Sequence, residues 1–332
     1  MKEKVSIEAT IKLDHIGRLF SMIASIAAFE GQRIESISVL PGGLTNSNYK
    51  VKVGEKNYAV RIAGDGTLEY LDRPAEKHNA GLMADMGISA PIVWYDETTG
   101  CQVCDFIEGD TLHKENFNAK LAHQLHGLGH EEHQEHENLR RAARIFAKFH
   151  NSDAKFISLF DPFKETYGYF DLLKEKNHKD YYEGFDEVSA VMDRIRAAFK
   201  KNPPRQAACH NDPLPENYIL NGERMFLIDW EYGGMNDPSF DLAALIIENS
   251  LNEDEEEIFL TEYFGAKPTF EQTASVALNK FIVDALWTIW ALLQIATGKE
   301  HEYYWPYGYE RFKRCVDIMN EANFEKYIQT FE

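Results

Sequence analysis

The stretch HNDPLPENYILNGERMFLIDWEY, residues 210–232, opens on His210, Asn211 and Asp212 and passes two prolines. It reaches Asn217 before two short apolar runs, the second ending at Asp229. The runs predict a pair of strands, and the polar opening predicts a tight loop ahead of them. Asp212 as a turn former and Asp229 as a strand terminator would account for part of this pattern. An acid, an amide five residues on and a second acid beyond the strand pair go further, because a tight loop and the following hairpin can bring residues 212, 217 and 229 to one edge.

Upstream, residues 34 to about 107 alternate like strands around one helical interlude. Tyr49, Val51 and Val53 alternate with Lys50 and Lys52, Gly54 and Glu55 make a turn, and NYAVRI alternates again, which predicts a hairpin. Residues 69–86 read as a helix, and APIVWYDETTGCQVCDFIEG as two short strands across a turn at Asp96 to Gly100. The order strand, strand, strand, helix, strand, strand describes a small α+β lobe.

Within that lobe LPGGLTNSNYKV, residues 40–51, sets Gly42, Gly43, Leu44, Thr45, Asn46 and Ser47 between two strands. Glycines let backbone approach a phosphate closely, and successive N–H groups of such a turn point at an anion. As a plain hairpin turn the same residues would need no function. In YAVRI, Ala59 and Arg61 point to one side, since residues two apart share a face of a strand. A small residue leaves room for a flat base while a cation one step on reaches phosphates, as in the V-A-I-K strand of protein kinases, with arginine here where lysine stands there. The alternative is an exposed arginine on a half-buried strand. Glu76, at the start of the next helix, is the candidate carboxylate to brace Arg61.

Beside a lobe that could bind phosphate, the loop at 210–217 gains a chemical meaning. Phosphoryl transfer from ATP needs a carboxylate to orient the acceptor and oxygen ligands for Mg²⁺. Asp212 can take the proton of a substrate hydroxyl, and the side-chain oxygens of Asn217 and Asp229 suit the metal. His210 reads as a scaffold for the loop, since the nearby acid already supplies a base.

After Gly109 the pattern turns helical. LRRAARIFAKFHNSD, EVSAVMDRIRAAFKK and VALNKFIVDALWTIWALLQIATG carry apolar residues at three and four spacing, so a lobe boundary is expected near residues 107–110. HIGRLFSMIASIAAF near the N-terminus reads as a core-packing helix, capped by Asp14, in place of a signal peptide. HQLHGLGHEEHQEH holds His123, His126, His130, His133 and His136 without an HExxH pattern, and a solvated insert is expected over a metal site.

At 332 residues, with 44% hydrophobic and 27% charged, the chain can bury one large core or two modest ones, and two lobes are expected. A net charge of −19 argues against a sequence-independent grip on nucleic acid and suits a cationic small molecule, although it also serves solubility alone. The four cysteines form no disulfide framework, and the lone CxxC at Cys101 and Cys104 reads as reduced thiols, so the cytoplasm is the expected compartment. No run of 18 apolar residues is present, and no membrane insertion is expected.

From about Ile34 to Phe312 the chain resembles the choline and ethanolamine kinases, in the aminoglycoside phosphotransferase branch of the protein-kinase-like fold. GGLTNSNY is similar to that family's nucleotide loop, AVRI to its phosphate-binding strand, FIEG to its interlobe hinge, HNDPLPENYIL to its catalytic loop and IDWEY to its metal-binding motif. FDLAALIIEN, ALWTIWALLQ and YYWPYGYERF resemble the segments that build its substrate pocket. The resemblance implies an α+β fold of two lobes: an antiparallel-sheet lobe with a leading helix at 1–107 and a mainly helical lobe at 108–332. It implies ATP and Mg²⁺ as cofactors, with ATP contacts at residues 42–47, Arg61, Glu76, Phe106 and Ile107. It places Glu248, Trp287, Trp290 and Tyr304 around a cationic head group. Aromatic faces suit a quaternary ammonium, which donates no hydrogen bond, and Trp287 and Trp290, three apart, share a helix face. Core packing is the plainer reading of two such tryptophans. The implied activity is phosphorylation of choline or a related amino alcohol. The rivals are an aminoglycoside or other small-molecule phosphotransferase and a non-catalytic kinase-like binding protein.

Overall fold

The computed structural model describes residues 6–7, 13–41, 46–64, 71–126 and 133–332. From the N-terminal end come β1 (Ser6–Ile7), α1 (Leu13–Ser25), β2 (Ile34–Leu40), β3 (Ser47–Val53), β4 (Lys56–Ile62), α2 (Arg73–Asp85), β5 (Ile92–Tyr95), β6 (Gln102–Asp105) and β7 (Asp110–Thr111). Helices α3 (Ala119–His126), α4 (His133–His150), α5 (Pro162–Glu175) and α6 (Phe185–Lys201) follow. Four short strands, β8 (Ala207–Cys209), β9 (Tyr218–Asn221), β10 (Arg224–Leu227) and β11 (Gly234–Asn236), precede α7 (Pro238–Glu248), α8 (Glu253–Phe264), α9 (Phe270–Ala296), α10 (His301–Met319) and α11 (Phe324–Gln329). The architecture is α+β and divides into two units. One holds Met1–Leu112, Phe156–Ser158 and Glu216–Gly233, and the other holds His113–Lys155, Leu159–Pro215 and Gly234–Glu332.

The first unit is built on a six-stranded sheet of order β1-β2-β3-β4-β6-β5, antiparallel except where β1 pairs with β2. Its alternation is the expected one. Tyr49, Val51 and Val53 of β3 and Tyr58, Val60 and Ile62 of β4 are buried, and they pack with Leu19 and Ile23 of α1 and with Phe29 beyond it. α1 thus supplies the apolar face expected of residues 15–29; the side chain of Asp14 lies outside the described residues. α2 begins where Asp72 accepts a hydrogen bond from the Ala75 amide, two residues before Pro74, which sits in the first turn. A smaller sheet, β10-β9-β7, contains the hairpin expected after the polar loop.

The second unit is organised around α9, which packs against α5, α7, α10 and α11. Thr269 opens it with a capping box to Gln272, seven residues before the apolar run expected from Val276. By length and composition α9 could cross a membrane, its 18-residue window having mean hydropathy 1.5. However, 94% of that window is buried, which makes α9 a core helix. The histidine-rich segment straddles α3 and α4. His123 is exposed and His136 half-buried, and neither joins a metal-ligating group among the described residues; the side chains of His126, His130 and His133 lie outside them.

Candidate active site

In the first unit, β4 carries Arg61 into the interior, where it is 4% exposed, so it is not the exposed arginine that a half-buried strand would allow. Its Nη2 donates to Glu76 Oε1 at 2.5 Å and to the Gly100 carbonyl at 2.9 Å, and its Nη1 donates to Asp229 Oδ1 at 3.3 Å. Arg73 donates to Glu76 Oε2 at 2.6 Å and lies 3.5 Å from Glu231 Oε2; Tyr95 donates to Glu76 Oε2 at 2.6 Å. Gly100, at φ 76°, leaves room for the Arg73 guanidinium, with which a Cβ would collide. Burial alone would raise the Glu76 carboxyl, but Arg61 and Arg73 outweigh it and hold the group below its ordinary value.

Two guanidiniums, Arg61 and Arg73, face three carboxylates, Glu76, Asp229 and Glu231, leaving an excess of one negative charge. The excess is visible in the acids. Burial raises Asp229 above its ordinary value, and burial with the neighbouring Asp229 charge pushes Glu231 up to about 7. Asp229 also holds a left-handed backbone at φ 66°, uncommon outside glycine and found where a structure fixes a functional side chain. Oxygen donors with uncompensated charge suit a hard divalent cation such as Mg²⁺. Asn217 stands just before β9, and its carbonyl accepts from the Ile228 amide at 2.9 Å, which ties it to the strand running toward Asp229.

The expected nucleotide contacts divide. Gly42, Gly43, Leu44 and Thr45 lie outside the described residues. Asn46 is buried; its Nδ2 donates to Glu231 Oε2 at 3.2 Å and its Oδ1 accepts from the Gly64 amide at 3.3 Å. Ser47 begins β3 opposite Ile62. Phe106 and Ile107 are half-buried just after β6, and Lys50 Nζ sits 4.0 Å from the centre of the Phe106 ring. Glu231 had no role in the sequence reading, because its partner Asn46 is 185 positions away.

In the second unit the polar loop is anchored by Asp241 of α7, which is fully buried. Its Oδ2 accepts from the His210 amide at 2.7 Å and its Oδ1 from the Asn211 amide at 2.6 Å. His150 Nε2 lies 3.0 Å from Asp241 Oδ2, and its Nδ1 3.0 Å from the Tyr263 hydroxyl. Burial lowers the His150 pKa, so the neutral ring donates to Asp241 and accepts from Tyr263. Asn211 takes φ 68°, and its Oδ1 accepts from Asn236 Nδ2 at 2.9 Å. His210 accepts the Asp212 amide on Nδ1 at 3.3 Å, the scaffolding contact expected of it. Asp212 itself is half-buried.

The same unit assembles an aromatic group. The Trp287 and Trp290 ring centroids are 5.7 Å apart at 85°, and Trp290 meets Tyr304 at 5.8 Å and Tyr307 at 6.1 Å, all edge-on. Tyr307 was not singled out from sequence, although its spacing of three from Tyr304 puts both on one face of α10. Burial raises its hydroxyl pKa, Arg311 opposes that, and the charges of Glu248 and Asp212 add to it. Glu248 is buried at the end of α7, and Arg311 Nη2 reaches its Oε1 at 2.7 Å.

An antiparallel-sheet unit with a buried Arg–Glu pair, and a helical unit holding an anchored aspartate loop, define the protein-kinase-like class. The phosphotransferase enzyme family profile matches residues 36–274, and the chain belongs to that family, within its choline and ethanolamine kinase group. A choline/ethanolamine kinase family protein from Mesorhizobium loti is 30% identical, with a TM-score of 0.79 over 95% of this chain and 98% of that one. The choline kinase LicA from Streptococcus pneumoniae is 28% identical, with a TM-score of 0.73 over 92% and 99%. A LicA in complex with AMP is 27% identical, with a TM-score of 0.71 over 96% and 98%.

Proposed function

We propose that this chain transfers the γ-phosphoryl group of ATP to the hydroxyl of choline or a related amino alcohol such as ethanolamine. The observation that carries the reading is the aromatic group of Trp287, Trp290, Tyr304 and Tyr307, assembled edge-on from α9 and α10. Aromatic faces attract an alkylated ammonium without needing a donor from it. The M. loti and S. pneumoniae relatives, named for choline and ethanolamine, support the acceptor class, and the AMP complex supports an adenine nucleotide.

Asp212 accepts the proton of the substrate hydroxyl as its oxygen bonds to the γ-phosphorus; the bond from that phosphorus to the β–γ bridging oxygen breaks and ADP leaves. Arg61, braced by Glu76, holds phosphate oxygens, and Phe106 and Ile107 line the base. Asn217 and Asp229 would hold Mg²⁺, which when bound neutralises charge on the phosphates. The free thiols of Cys101, Cys104, Cys209 and Cys315 support a reducing, cytoplasmic setting.

An ADP-release assay against choline, ethanolamine and an aminoglycoside panel tests the reading. Turnover is expected with an amino alcohol, and turnover with aminoglycosides alone overturns it. Trp290→Ala should raise KM for choline by roughly 3- to 30-fold, the value of a cation–π contact, and leave KM for ATP within about twofold.

A further inference from the structure

We propose that Arg73 is a positioning residue for the nucleotide: by holding the far oxygen of Glu76 it sets the angle of Arg61 and leaves the Arg61 charge to the phosphates. The inference rests on the reading above that Arg61 binds phosphate oxygens, and it holds for any acceptor alcohol. A guanidinium presents its N–H donors in a rigid planar fork, so the partners on one side of the fork aim the other side. On Arg61 the Nε and Nη2 side is taken up by the Gly100 carbonyl, at 3.3 and 2.9 Å, and by Glu76 Oε1 at 2.5 Å. Nη1 has two N–H groups and, among the described residues, meets only Asp229 Oδ1 at 3.3 Å, which makes it the end of the fork that can also serve a phosphate.

The angle of Glu76 is set in turn at its other oxygen. Glu76 Oε2 accepts from Arg73 Nη1 at 2.6 Å and from the Tyr95 hydroxyl at 2.6 Å. Arg73 is 1% exposed, and a Cβ at position 100 would collide with it, so the glycine whose carbonyl holds Arg61 also makes room for Arg73. Charge follows the same arrangement. Glu76 and Asp229 both contact Arg61, and facing that guanidinium alone they would cancel its pull on an incoming anion. Arg73 shares Glu76 and lies 3.5 Å from Glu231, so it takes up negative charge that would otherwise fall on Arg61. Its contribution to nucleotide binding therefore runs through Arg61 and concerns the phosphates, not the base.

The test measures calorimetric dissociation constants for Mg·ATP and for adenosine, which shares the base and lacks the phosphates. R73M should weaken Mg·ATP by about tenfold or more, the value of one charge-assisted hydrogen bond, and leave adenosine within about twofold. R73K keeps the charge without the fork; it should weaken Mg·ATP by about threefold or more with adenosine again unmoved, and it supplies the reading if R73M does not fold. R61M should weaken Mg·ATP at least as much as R73M, and either change at position 73 added to R61M should weaken it by less than about twofold more. Smaller losses than these in the folded single variants, an equal loss for Mg·ATP and adenosine, or a larger further loss on the R61M background overturns this proposal alone. Wild-type affinity for Mg·ATP in R61M overturns the phosphate role of Arg61 and this proposal with it. The expected pattern together with turnover of no amino alcohol supports the proposal and counts only against the acceptor.

Discussion

Asp212 and Asp229 are both aspartates of one 23-residue stretch, yet their surroundings suit them to different work. Asp212 sits half-buried on a loop whose backbone is pinned from below by Asp241, so it can meet a hydroxyl without moving its support. Asp212→Asn should therefore lower kcat by about 10²- to 10⁴-fold, the value of a positioned base, with KM for ATP and the melting temperature little changed. Kinetics at the wild-type rate would remove Asp212 from the mechanism. Around Asp229 the charge balance matters more. Glu231, raised to about 7 from an ordinary 4.5, binds more protons folded than unfolded between those values. Its contribution therefore makes the metal-free protein less stable as pH rises from about 5 to 7. Glu231→Gln should melt higher than wild type at pH 8 by a few degrees and lose that advantage at pH 5, read by thermal melts in chelator. An advantage equal at both pH values would count against the raised carboxyl. The intervals among 212, 217 and 229 were legible because they lie within one short segment. Glu231, two residues further, was not, since its environment comes from Asn46 and Arg73.

At the scale of elements, α2 does more than cover the sheet. It presents Arg73 and Glu76 one turn apart and inward, 1% and 2% exposed, so the carboxylate is held between two guanidiniums from α2 and β4. Glu76→Gln leaves both cations buried with less compensation and should destabilise the protein by about 3 kcal/mol or more, seen as a lower urea midpoint. A change below about 1 kcal/mol would mean that Asp229 and Glu231 suffice as partners. This element was readable because Arg61 on a two-residue period and an acid in the next helix are both local patterns. Helix α10 was readable only in part. Tyr304, Tyr307 and Arg311 follow one another at three and four spacing on one face, but the partners that give them meaning stand on α7 and α9. Strand β1 escaped altogether, since two residues cannot carry an alternation.

At the scale of the molecule, the division of character from sheet to helices was legible as a change of period after Gly109. The assignment of residues 216–233 to the first unit was not, because pairing of β9 with β7 joins segments more than a hundred residues apart. The second unit depends on α9 in a way that composition alone misstates. The helix has the apolarity of a membrane span, yet its polar residues Asn279 and Asp284 are 1% and 0% exposed and paired, Asn279 Nδ2 to Asp237 Oδ2 at 2.9 Å and Asp284 to Arg311 and Arg314. A lipid-facing helix would leave such groups unmatched, whereas a core helix uses them to fix its neighbours. Phe281, fully buried on α9 with its ring 5.8 Å from that of Phe324 on α11, tests this dependence. Phe281→Ala should cost about 3–5 kcal/mol and lower the urea midpoint by roughly 1–2 M, read by the emission of Trp287 and Trp290 on the same helix. A loss below about 1 kcal/mol would place the centre of the core elsewhere.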